Sequence, residues 1–147
     1  MARIKLEHYN LMPKKLRQTV DFYSKVLGLY EGFYPTSLGP GAWLYDSTDT
    51  PVVHMQEVVD EDRFTARIAG TSGRIHDGAA AELDYQRLYG SGTIDHIAFN
   101  CEGVDDFKAR LNEMDVVFGE GFVADANVKQ LFLRDPNGIV VELNFRS

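Results

Sequence analysis

The chain has 147 residues, 44% of them hydrophobic and 25% charged, enough for one ordinary globular domain or two small modules sharing a core. Twenty-two acidic residues against 15 basic ones give a net charge of −7, which excludes a general nucleic-acid binder with its concentrated basic face. The single cysteine, Cys101, excludes an internal disulfide framework and any cysteine-rich metal site, so a bound metal must take His, Asp, Glu or water as ligands.

In chain order, residues 4–11 alternate loosely between apolar and polar and predict a short strand, which Met12-Pro13 breaks. Leu16, Val20, Tyr23 and Leu27 then recur every three or four residues, the stripe of an amphipathic helix, with Gly28 placed as its C-terminal cap. Residues 29–34, 41–46 and 51–58 predict three strands separated by Pro, Gly, Ser, Thr and Asp punctuation. Residues 59–92 are irregular. Asp60-Glu61-Asp62 is a charge cluster, residues 70–73 are loop-like and residues 79–88 predict a short helix. So long a connection reads either as a solvated linker or as a lid.

The second half repeats the order of the first. Residues 94–100 predict a strand, and a helix starting at residues 103–105 carries Val104, Phe107, Leu111 and Met114 on one face. Residues 116–119, 129–133 and 139–145 predict strands, the last two joined by the hairpin turn Asp135-Pro136-Asn137-Gly138. Setting His8 over His96 gives an offset of 88, which also places Leu29 on Val117, Leu44 on Phe132, Val52 and Val53 on Val140 and Val141, and His54 on Glu142. The chain reads as an internal repeat with module one at 4–58, an insertion at 59–92 and module two at 93–147. No apolar run approaches the ~18–20 residues that span a bilayer, and residues 1–5 lack the apolar stretch of a signal peptide. No membrane partner is expected, and the cytoplasm is the expected compartment.

If the modules pair about a pseudo-two-fold axis, His8, His54, His96 and Glu142 converge on one cavity. That mixed nitrogen and oxygen set suits Zn, Ni, Fe(II), Mn or Co, with room left for water or substrate. Any one strand histidine is more often a hydrogen-bonded structural residue than a ligand. Glu142 differs, because it stands among Val140, Val141, Leu143 and Phe145. A buried carboxylate costs several kcal/mol without a partner, so Glu142 requires a cation, an arginine or an edge position facing solvent. Cys101 reads as a structural thiol, and His76 as a surface residue of the insertion.

These residues resemble a known family. The stretch Leu6-Glu7-His8-Tyr9-Asn10, continuing through Asp21-Phe22-Tyr23-Ser24-Lys25-Val26-Leu27-Gly28-Leu29, is similar to the first module of the vicinal oxygen chelate superfamily. Thr93-Ile94-Asp95-His96-Ile97-Ala98-Phe99 resembles the opening strand of its second module, and Phe132-Leu133-Arg134-Asp135-Pro136-Asn137-Gly138-Ile139-Val140-Val141-Glu142-Leu143 its closing hairpin. The superfamily contains glyoxalase I, methylmalonyl-CoA epimerase, fosfomycin-resistance enzymes, extradiol dioxygenases and bleomycin-resistance proteins. The resemblance implies an α+β fold of two βαβββ modules forming a curved mixed sheet around a central metal cleft, commonly as a homodimer. It implies a divalent transition metal held by His8, His96 and Glu142. His54 falls where glyoxalase I has a ligating glutamate and the epimerase a glutamine, so it either coordinates the metal or stands beside it as a base.

Such a site binds two adjacent oxygens of a small oxygenated substrate and supports either proton abstraction next to a carbonyl, the lyase or isomerase branch, or ring cleavage with Fe(II). The extradiol branch often carries a tyrosine where this chain has Phe132, which disfavours ring cleavage. Trp43, Tyr45 and Phe132 are candidate aromatic walls for the substrate and Gln130 a candidate polar contact. The alternative is a metal-free protein of the bleomycin-resistance type that sequesters a ligand in the same cleft, for which His8, His96 and Glu142 together would have no use.

Overall fold

The computed structural model describes residues 7–70, 72–90 and 97–146. Its contacts divide the chain into two compact units, residues 1–88 and 89–147. In the first, β1 (Tyr9–Leu11) leads into α1 (Leu16–Leu27), followed by β2 (Tyr30–Glu31), β3 (Gly41–Tyr45) and β4 (Pro51–Gln56). The strands form one mixed sheet of order β1-β4-β3-β2, with β1 parallel to β4 and the other pairs antiparallel.

Helix α1 buries Leu16, Thr19, Val20, Tyr23 and Val26. It packs on β2 and β3, and Tyr23 lies against Tyr9 of β1. The sheet's matching face is Leu11, Ala42, Leu44, Val53 and Met55, all at most 5% exposed. Each large apolar side chain buried there contributes about 1.5–3 kcal/mol relative to exposure. A one-residue slip of any strand would turn that set to the other face, so this face fixes the register. Side chains alternate along a strand, so Asn10, Trp43, Tyr45, His54 and Gln56 are left on the opposite face. The helix ends at Gly28, whose left-handed φ of 76° lets its own N–H and that of Leu29 donate to the carbonyls of Ser24 and Tyr23, as the capping pattern predicts. At the other end the Leu16 N–H donates to the Glu57 carboxylate at 3.2 Å.

The charge cluster at residues 60–62 starts a helix in the segment expected to be irregular. In α2 (Glu61–Gly70) the Arg63 N–H donates to the Asp60 side chain at 2.8 Å, and Glu61 and Asp62 sit in the positively polarised first turn. Phe64 and Ile68, one turn apart, pack with Val58 into a second small core flanked by Met12, Ala80, Tyr85 and Leu88. The predicted helix at residues 79–88 is two short 3-10 turns, Ala79–Glu82 and Tyr85–Arg87. The Tyr85 hydroxyl ties this segment back to the Val59 carbonyl at 2.7 Å. Phe64, Ile68, Ala80, Tyr85 and Leu88 thus tie the described parts of this segment to Met12 and Val58 of the first unit.

The second unit repeats the plan with β5 (Ile97–Cys101), α3 (Val104–Glu113), β6 (Phe118–Val123), β7 (Val128–Arg134) and β8 (Val140–Arg146), in sheet order β5-β8-β7-β6. Leu111 of α3, Leu131, Leu133, Val141, Leu143 and Phe145 form its core, and Phe107 meets Phe145 edge to face. The fold is α+β, two βαβββ modules with open mixed sheets. Among the described residues no helix is long and apolar enough to cross a membrane.

The offset of 88 holds in the parallel pairs. Tyr9 pairs with Val53 as Ile97 pairs with Val141, and Asn10 pairs with His54 as Ala98 pairs with Glu142. It does not hold on β3. Trp43 lies opposite His54, and Phe132 lies opposite Glu142, so Phe132 is the counterpart of Trp43, not of Leu44. Leu44 instead corresponds to Leu133, each facing the valine before the site residue. A register shift beside Leu44 and Tyr45 absorbs the difference: β4 carries one extra residue there, Val52, and β8 has none.

Candidate functional site

In the first unit the polar face of the sheet centres on His54. Its ring is sandwiched, with Trp43 on one side at 4.1 Å between centroids and 13° between planes, and His8 on the other at 3.7 Å and 14°. β4 supplies His54, its antiparallel neighbour supplies Trp43 directly opposite, and the coil entering β1 supplies His8. The Nε2 atom of His54, Nδ1 of His8 and Nε1 of Trp43 are buried without a hydrogen-bond partner. Nδ1 of His8 stands 3.4 Å from the exposed Glu7 carboxylate, within ion-pair range but off hydrogen-bond geometry. Burial pushes the His54 imidazole below its ordinary 6.5, with the neighbouring His8 adding to the shift and Glu7 and the Pro51 carbonyl opposing it.

Tyr34, which sequence reading did not single out, extends the aromatic wall. Its ring meets Trp43 edge-on at 6.1 Å, and its hydroxyl donates to the Gly39 carbonyl at 3.0 Å. It fits because Gly41, on β3 opposite Gln56, has no side chain, and a Cβ there would run into the Tyr34 hydroxyl. A glycine one strand repeat before a tryptophan was the available signal. Tyr45, by contrast, is occupied in the strand scaffold: its hydroxyl holds the Phe33 carbonyl at 2.9 Å and its ring stacks on Tyr30.

In the second unit Glu142 is 7% exposed on β8, beside Ala98 of β5 and Phe132 of β7. Its Oε1 accepts from the Asn144 side-chain amide at 2.6 Å, and Asn144 Oδ1 in turn accepts from Gln130 Nε2 at 3.0 Å. A relay of two amides, Gln130 to Asn144 to Glu142, therefore fixes the orientation of the carboxylate. Gly121 lies opposite Gln130, and a Cβ there would come within 3.0 Å of the Phe132 ring and 3.1 Å of Gln130 Oε1, so a bare backbone makes room for both.

His96 lies outside the described residues, as do residues 4–6 and 94–95 of the two expected opening strands. Among the described residues no three or more His, Cys, Asp or Glu side chains are grouped to hold a metal. The chemistry of each half fits a divalent cation nonetheless. One offers buried imidazole nitrogens lacking partners, the other a buried carboxylate oriented by a side-chain amide. Cys101 is half-buried, and burial raises its thiol to about 11, an unreactive setting. His76 is exposed in the connecting segment.

Paired βαβββ modules of this strand order define the glyoxalase-type fold. The sequence profile of the Glyoxalase/Bleomycin resistance protein/Dioxygenase superfamily matches residues 5–143, and the chain belongs to that superfamily. Glyoxylase I 4 of Arabidopsis thaliana is 23% identical over 141 residues, spanning 94% of this chain and 68% of that protein. Among solved structures, the fosfomycin resistance protein FosX of Listeria monocytogenes is similar with a TM-score of 0.65 at 16% identity, over 99% of this chain and 96% of that one. Lactoylglutathione lyase of Agrobacterium tumefaciens is similar with a TM-score of 0.62 at 16% identity, over 98% and 95% of the two chains. At such identities the structural likeness shows the fold.

Proposed function

We propose that the chain is a divalent-metal-dependent enzyme of the lyase or isomerase branch of its superfamily, acting on a small substrate with two adjacent oxygens. The observation that supports this reading is the equivalence of His54 and Glu142 in strand register, one a buried imidazole with a partnerless nitrogen, the other a buried, amide-held carboxylate. His8, His96 and Glu142 would hold the metal, with Fe, Zn, Ni, Mn and Co all compatible with the donors. When bound, the metal supplies stabilisation for negative charge developing on a substrate oxygen.

His54 is the proton acceptor. Its ring and that of His8 are 14° from parallel, so their in-plane lone pairs run side by side and do not converge on one point. That favours His8 as ligand and His54 as base, acting at Nε2. Desolvation keeps the imidazole neutral and able to accept a proton below pH 6.5. Trp43 clamps its second face, and Trp43 and Tyr34 exclude water from that side. Phe132 lines Glu142, and Phe132 in place of a tyrosine supports the branch without ring cleavage.

Elemental analysis of protein purified without a metal-affinity tag tests the reading, with turnover followed on lactoylglutathione, the compound that the A. tumefaciens neighbour is named for. About one equivalent of transition metal per chain is expected, and less than about a tenth, with no gain on reconstitution, overturns the enzyme in favour of a ligand-sequestering protein. Glu142→Ala should lose the metal. His54→Ala should keep it and lose about 10²–10⁴-fold in rate. Equal metal loss in both would make His54 a ligand.

A further inference from the structure

The face that carries His54 continues into a pocket that the proposed chemistry leaves unused. This pocket, of about 320 Å³, lies wholly within the first unit, where the end of β4 meets α2. Leu38 and Pro40 form one wall, Gln56 and Glu57 line the strand side, and Arg63 and Arg67 project from α2. The two arginines are four residues apart, hence on one face of the helix. Burial weakens the hold of Arg67 on its proton, and the nearby Arg74 guanidinium adds to that. In a chain of net charge −7, two arginines thus line one hollow, with a third, Arg74, near enough to act on Arg67.

Gln56 gives the pocket its second requirement. It is only 8% exposed, and its side-chain oxygen is buried with no hydrogen-bond partner. A buried acceptor without a donor is unfavourable, and a ligand donor would relieve it. Glu57, the one acid of the lining, has an oxygen already taken by the Leu16 N–H at 3.2 Å.

We propose that this pocket binds an oxyanion, a carboxylate or a phosphate group, whose oxygens are held by Arg63 and Arg67 and which presents an N–H or O–H donor to Gln56. Guanidinium pairs favour such planar or tetrahedral anions because their donors match two oxygens at once. Gln56 lies two residues beyond His54 on the same strand face, about 7 Å along the strand. The site's substrate therefore carries its anionic group roughly one strand repeat from the atom that His54 deprotonates. Only this last step rests on the function proposed above. The anion site itself is tested without metal or turnover.

The test is a titration of the full chain, labelled with ¹⁵N-arginine, with inorganic phosphate and with acetate at constant ionic strength, following the arginine side-chain N–H signals. Saturable shifts of the Arg63 and Arg67 signals with a common midpoint are expected for both ions, in the millimolar range, about 1–20 mM. Arg63→Gln, on an exposed helix surface, and Arg67→Gln should each weaken phosphate about tenfold, whereas Arg67→Lys should weaken it less. Gln56→Leu should weaken monobasic phosphate, which has an O–H to offer, and leave acetate, which has none, unchanged. Shifts that do not saturate by about 50 mM, or that persist unaltered in Arg63→Gln, overturn the site. Equal losses for both ions in Gln56→Leu overturn the role of Gln56. Anion binding in protein that fails the metal test would retain the pocket and discard the catalytic reading.

Discussion

The two modules share a backbone plan down to the hydrogen bonds of their closing turns, yet their working faces share almost no chemistry. Asp46 accepts from the Thr48 and Thr50 N–H groups as Asp135 accepts from those of Asn137 and Ile139. The turn closes through Asp49, at φ 58°, in one module and Gly138, at φ 80°, in the other. Against that sameness, His54 is enclosed by two rings whereas Glu142 is reached by amides. The helix-facing side chains fix the register in both sheets, so the opposite faces were free to diverge without unsettling the fold. One module came to present nitrogen bases on an aromatic wall. The other came to present an anchored carboxylate.

The equal turns differ in burial, and that difference is the largest one open to measurement. Asp135 is 4% exposed, and one of its donors, the Ile139 N–H, is itself buried. Asp46 and its donors reach solvent. Asp135→Ala should therefore cost about 3 kcal/mol and Asp46→Ala about 1 kcal/mol, because only the first strands its N–H groups away from water. Urea denaturation of both variants reads the contrast directly. Equal losses would mean that the buried turn has no greater weight in stability than the exposed one.

A smaller effect separates the modules by pH. The folded chain lowers the affinity of His54 for a proton, so the unfolded chain binds that proton more readily. The associated stability is fully present above about pH 6.5, the unfolded value, and is lost as pH falls below it. Melting temperatures of metal-free protein at pH 7.5 and 5.5 should fall further in the wild type than in His54→Gln. An unchanged gap would show that the sandwiched ring is no harder to protonate than a free one.

What the sequence disclosed follows the same division between core and face. The stripe from Leu16 to Leu27, the Gly28 cap and the Asp135 turn were legible because periodicity and turn chemistry are local. The repeat was legible too, since core alternation recurs in both halves. Helix α2 is less legible: Asp60-Glu61-Asp62 is a start signal and Phe64 and Ile68 are one turn apart, but two apolar residues make too short a stripe to stand out within a segment that otherwise lacks periodicity. The partners of His54 were half visible. Trp43 is conspicuous for its type, but its contact with the imidazole depends on pairing β3 with β4 at a register that the bulge alters. Gln56 and Tyr34 carried no signal of their own, since a polar residue ending a strand and a tyrosine in a loop become informative only when a glycine opposite makes room.

That bulge also yields the smallest expected effect and the sharpest comparison. The pairs Gly41 to Gln56, Ala42 to Met55, Trp43 to His54 and Leu44 to Val53 form an unbroken ladder on one side of it, and Tyr45 to Pro51 lies on the other. Removing Val52 should leave both sets intact and give β4 the continuous pairing seen in β8, where Leu133 meets Val141 and Arg134 meets Val140. The half-buried Val52 side chain contributes little to the core, so the deletion should change stability by no more than about 1 kcal/mol. Trp43 is the sole tryptophan, and its emission reports on the His54 ring stacked against it. Unchanged emission is expected. If the strand instead slid by one residue, His54 would turn toward α1 and Val53 and Met55 away from it, emission would shift to the red, and the loss would reach several kcal/mol, about 3 or more. The extra residue would then be what holds the two modules' registers equivalent at His54 and Glu142, and not an incidental insertion beside a shared turn.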